Sequence, residues 1–88
     1  MCAKAISSET VRLKNGTAQV QEAWLEPLGD CFAMQPGRLY EFTIRDDFGK
    51  VEIDQDKGGF VIYGWVTQIS SIDEHGDAHV EWELPRND

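Results

Sequence analysis

Cysteine and positive charge are scarce in this chain, helical periodicity is missing, and no long apolar run appears. With only Cys2 and Cys31, the multi-bridge framework that staples small secreted scaffolds is excluded. A bridge from Cys2 to Cys31 fits the count, but two free thiols are the simpler expectation. No charged-then-apolar leader stands ahead of residue 30, and no apolar stretch approaches the roughly 20 residues that span a bilayer. The expectation is therefore a cytoplasmic protein with no membrane partner. Eight bases face sixteen acids, a formal charge of −8, and such a chain repels phosphate backbones, so nucleic acid is not an expected partner. There is also no glycine-rich phosphate loop, no HExxH, and no Ser, His and Asp in a recognisable catalytic order. Neither enzyme activity nor a cofactor is expected.

What is present is period-two alternation between turn residues. Eighty-eight residues make one domain, 1–88, with residues 1–8 and 86–88 placed to fray. The alternation predicts an all-β protein: a small antiparallel sandwich or barrel of six to eight short strands. Val11 and Leu13 alternate with Arg12 and Lys14 ahead of Asn15-Gly16, which reads as a type I′ hairpin turn into a strand over 17–26. In that second strand Val20 and Trp24 share one face while Ala23 and Leu25 share the other, so the phase is ambiguous. Pro36-Gly37 reads as a type II turn, and residues 38–45 as a strand with Tyr40, Phe42 and Ile44 on one face. The segments at 46–49 and 56–59 read as short turns between antiparallel neighbours. The strand at 78–84 is expected to point Ala78, Val80, Trp82 and Leu84 inward and His79, Glu81 and Glu83 outward. The remaining core candidates are Val20, Trp24, Phe32, Leu39, Val51, Ile53, Phe60, Ile62, Trp65, Ile69 and Ile72.

Several clusters are candidates for chemistry. Cys31 follows Asp30, whose charge raises rather than lowers a thiol pKa, and no histidine lies near it in sequence; it reads as a packing residue. Asp54-Gln55-Asp56-Lys57-Gly58-Gly59 has the first, third and sixth positions of a calcium loop, but Gly58 at the fifth and Trp65 at the twelfth break it. His79, Glu81 and Glu83 alternate on one strand at roughly 6.5 to 7 Å, too far apart for neighbours to share an ion unaided, so no metal site is expected. Acids concentrate late: residues 1–44 carry five against four bases, residues 45–88 eleven against four. An acidic face of Asp73, Glu74, Asp77, Glu81 and Glu83 therefore makes a non-catalytic module that engages a basic protein, of immunity or inhibitor type, the leading expectation. The alternative is a small-ligand or carbohydrate binder built on Tyr63 and Trp65, which flank Gly64 on one face, with Trp24. Both a monomer and a homodimer through edge strands are compatible with the pattern.

The motif Leu25-Glu26-Pro27-x-Gly29, then Pro36-Gly37 leading into Tyr40-Glu41, then Tyr63-Gly64-Trp65, resembles a group of small bacterial proteins of uncharacterised activity. The likeness spans about residues 20–66. In that group tryptophan is common where Leu28 stands, and a second proline where Gln35 stands. The resemblance implies a shared compact β fold and no activity.

Overall fold

The computed structural model describes residues 8–45, 50–56 and 58–84. Eight strands form: β1 (Ser8–Lys14), β2 (Gln21–Glu26), β3 (Asp30–Met34), β4 (Leu39–Arg45), β5 (Glu52–Asp56), β6 (Gly59–Tyr63), β7 (Trp65–Ile72) and β8 (Ala78–Glu83). They make two four-stranded sheets, in the orders β1-β4-β7-β8 and β3-β2-β6-β5, packed as a sandwich rather than a closed barrel. Alternate residues of each sheet point inward. Tyr40, Phe42, Ile44, Val66 and Ile69 of the first sheet meet Ala23, Leu25, Met34 and Ile62 of the second in one core. Phe32 packs edge-on against Tyr40 across the layers, with ring centroids 5.3 Å apart.

The pairing departs from hairpin logic in three places. Asn15-Gly16 is no type I′ turn: neither residue has a positive φ, and β1 pairs with β4 rather than β2. Asn15 is instead buried completely. Its amide nitrogen donates to the carbonyls of Gln19 and Met34, both at 2.8 Å. Its amide oxygen accepts from the Thr17 N–H at 3.0 Å and the Thr17 hydroxyl at 2.7 Å. Residues 17–19 are bent around this side chain, so the second strand starts only at Gln21, and Val20, expected in the core, is exposed. The second departure is β2 against β6, which run parallel; the sandwich is therefore not wholly antiparallel. Third, β4 and β5 belong to different sheets, although their short connection predicted neighbours; the turn at 46–49 lies outside the described residues. The expected fraying likewise lies outside them, except at Ser8, which begins β1.

The ambiguous phase of β2 resolves with Ala23 and Leu25 inward. Ala23 is flanked by Phe32 on one side and Phe60 on the other, and the small side chain is what two neighbouring phenyl rings leave room for. Trp24 consequently points out and is 47% exposed, contrary to its expected place in the core. In β8 the expected alternation fails for a different reason. Ile69 pairs with Trp82 but the next residue, Ser70, pairs with Val80, so Glu81 is an extra residue and the strand changes phase there. Val80 and Ala78 turn outward, with Val80 57% exposed. Trp82 stays against the core and ties the sheets together, donating its indole N–H to Asp30 at 3.1 Å.

Two turns behave as their residues dictate. Arg38 N–H donates to the Gln35 carbonyl at 3.3 Å across Pro36-Gly37, with Gly37 at φ 74°, as a type II turn requires. Gly64 is where the chain leaves the second sheet and enters the first; a Cβ there would come within 2.8 Å of the Ile44 side chain. This corner places Tyr63 and Trp65 at the junction of the sheets.

Candidate functional site

Outward positions of the second sheet follow from the register. Trp24 lies beside Val61, Glu26 beside Tyr63 and Glu22 beside Gly59. On the far side of β6, Asp54 lies beside Val61, Glu52 beside Tyr63 and Asp56 beside Gly59. Since these residues share the face opposite the core, two aromatics sit among five carboxylates: Glu22, Glu26, Glu52, Asp54 and Asp56. Tyr63 is 42% exposed and the Trp65 ring is half-buried. Together Trp24, Tyr63 and Trp65 line one groove of about 800 Å³, with Glu26, Pro27, Val61 and Gly64. Arg45 and Lys50 form its basic rim.

The three aromatics expected to form a ligand patch thus meet in one groove. The five expected acidic residues are less united. Asp73, Glu74 and Asp77 belong to the β7 to β8 turn, and the Asp73 carboxylate is engaged by that turn itself: it accepts the His75 and Asp77 N–H groups, both at 2.9 Å, and contacts His79 Nε2 at 2.8 Å. Glu81, with Asp73, Glu74 and His79, lines a second groove of about 730 Å³ that also contains Lys14 and Arg38. Glu83 accepts from the Gln68 side-chain amide at 2.7 Å instead, on the far side of the bulge. Sequence reading missed the carboxylates of the second sheet, although their signal was visible: Glu22-x-Trp24-x-Glu26 and Glu52-x-Asp54-x-Asp56 both repeat at period two.

Titration separates the groups. The His79 hydrogen bond, with the Asp77 and His75 N–H groups, holds Asp73 below the ordinary 3.8, and Asp73 in turn raises His79 above the ordinary 6.5. A lowered carboxylate pKa stabilises the fold above 3.8 and loses its effect as pH falls through the lowered value. A raised imidazole pKa stabilises below 6.5 and loses its effect as pH rises through the raised value. The contact is therefore at full strength between about pH 4 and 6.5. We expect NMR titration of the His79 ring to give a midpoint above 6.5, and Asp73→Asn to lower it; a midpoint that the substitution leaves unchanged would show the contact absent in solution.

Cys31 sits next to Trp24 on the outer face, its Sγ 3.6 Å from Glu22. Partial burial, the Glu22 carboxylate and Asp30 all push its pKa up, which keeps it a thiol at neutral pH and disfavours nucleophilic chemistry. Among the described residues no three His, Cys, Asp or Glu side chains converge to hold a metal ion, and no helix is long and apolar enough to cross a membrane. Comparison with family models, with curated proteins and with solved structures returned no match.

Proposed function

We propose that the protein is a non-catalytic binding module whose working surface is the outer face of the second sheet, and that its ligand is a segment of a basic protein. The observation that carries this reading is the pair Trp24 and Tyr63 set among the outward carboxylates of the second sheet, beside a groove whose charged lining is Glu26, Arg45 and Lys50. Exposed aromatic rings supply the contact area that binding hot spots use, and the surrounding negative charge steers and selects a positive partner. The expected partner class is thus retained while the site moves from the β7 to β8 turn to the second sheet.

The test is tryptophan emission titrated with an arginine-rich peptide. Trp24→Ala should melt within about 0.5 kcal/mol of the parent, as exposed substitutions do, yet lose about tenfold or more in affinity. Binding should weaken steeply as salt brings the Debye length down to about 8 Å. An affinity that ignores both Trp24 and salt would remove this face from consideration.

A second reading is favoured by the size of the groove, which falls in the range of about 300 to 1,000 Å³ occupied by small-molecule sites. A pyranose ring stacked on Trp24 or Tyr63 would change the emission without salt dependence. An oligosaccharide titration at two ionic strengths separates the two.

A further inference from the structure

We infer that the basic segment binds as an added strand along β5, carrying arginine or lysine at every second residue. This rests on the basic-partner reading and specifies how that partner lies. The sheet order leaves β5 at an edge: it pairs with β6 on one side and, among the described residues, with no strand on the other. An edge strand offers backbone donors and acceptors for one more strand, the way many domains capture extended peptides.

The side chains of β5 set which peptide fits. Its outward positions Glu52, Asp54 and Asp56 are all acidic, its inward Ile53 is half-buried, and its register with β6 is unbroken from end to end. Successive outward positions lie roughly 6.5 to 7 Å apart. An added strand with cations at the same period sets each one directly opposite a carboxylate, at about 4.5 to 5.5 Å between Cβ atoms. The site continues into the aromatic groove, because Tyr63 lies beside Glu52 on the next strand. A guanidinium reaching past Glu52 meets the exposed face of Tyr63, which favours arginine over lysine there.

The other three edges lack this match. β3 presents Cys31 and Ala33 outward. Outward positions of β1 include Arg12 and Lys14, with Arg12 bound to Glu41 at 2.9 Å. In β8 the extra residue Glu81 breaks the period. A second copy of this chain is a poor occupant of β5, since antiparallel self-pairing would oppose acid to acid.

Two peptides of identical composition test the inference: one alternates arginine with threonine, the other carries all its arginines in one half. Fluorescence anisotropy at low ionic strength should give at least tenfold tighter binding for the alternating peptide. Glu52→Lys with Asp54→Lys should abolish that preference, whereas Glu83→Lys, on the other sheet, should leave it intact. All three positions are exposed, so these variants should fold. Backbone amides of β5 should gain protection from hydrogen exchange when the alternating peptide is bound. Equal affinity for the two peptides, with dependence on Trp24 retained, would overturn strand addition and leave the basic-partner reading standing. If neither peptide binds, the basic-partner reading itself fails, and the inference with it.

Discussion

Gly59→Ala should destabilise the protein by about 3 to 5 kcal/mol, as overpacking and a strained backbone add together. Gly59 opens β6 at φ 148°, in a region that side chains avoid, and it lies directly beside Glu22 in the parallel pair. A Cβ at this position would fall on the Glu22 carbonyl oxygen, with the Glu22 amide nitrogen also within 2.7 Å. Backbone cannot rotate away as a flexible side chain could. The strand must therefore shift, and with it the only parallel pairing among the described residues. A domain of this size has roughly 4 to 13 kcal/mol in total, so the loss is a large fraction. At about 4 to 8 °C per kcal/mol, the melting temperature should fall by at least about 12 °C. Gly16→Ala is the matched control, because a Cβ there meets nothing within 4 Å and its φ is not positive; it should change stability by less than about 1 kcal/mol. Equal melting of the two variants would mean that β2 and β6 do not approach this closely.

Asn15→Ala should cost about 2 to 4 kcal/mol, chiefly through the partners it abandons. The carbonyl of Met34 is buried together with the Asn15 amide, and losing that donor removes one of its hydrogen bonds where water does not replace it. The Thr17 N–H loses its acceptor at the same time, while the Thr17 hydroxyl keeps the Gln19 carbonyl at 2.9 Å, so the bend at 17–19 is loosened rather than lost. Asn15 also holds the two ends of the neighbouring turn through its backbone, donating to Arg38 at 3.0 Å and accepting from Gly37 at 2.7 Å; those bonds survive the substitution. Asn15→Asp should be worse at neutral pH than Asn15→Ala. It sets a carboxylate against two carbonyl oxygens in a site with no exposure, and burial raises the pKa of that carboxyl. A raised pKa makes the protonated form the tolerated one, so the Asp variant should recover stability as pH falls. Denaturant unfolding of both variants at neutral and acidic pH reads this directly. An Asp variant with no pH dependence beyond the parent's would contradict the buried network.

For the candidate site, the residues were more legible than their meeting place. Tyr63 and Trp65 stand two apart across a glycine, and that spacing alone suggested a shared patch. Trp24 joins them only because β2 lies parallel to β6. Parallel pairing leaves no local turn signature, since the paired strands are separated by β3, β4 and β5 along the chain. The same holds for the carboxylates. Glu22 and Glu26 alternate with Trp24, and Glu52 alternates with Asp54 and Asp56; the two rows become one acidic face only when β6 lies between them.

By itself the sequence determined the all-β class, the approximate positions of the strands and the Pro36-Gly37 turn. These depend on local chemistry: side-chain alternation, β-branched and aromatic content, and the φ that proline and glycine impose. The tertiary structure decided which strands pair, and through that which faces are buried. Ala23 rather than Trp24 enters the core because Phe32 and Phe60 close on it from both sides. Val80 turns outward because Glu81 is accommodated as an extra residue opposite β7, and Asn15 leaves its expected hairpin because a buried carbonyl of Met34 takes its amide. In each case the deciding partner lies on another strand, and a period of two carries no information about what that partner is.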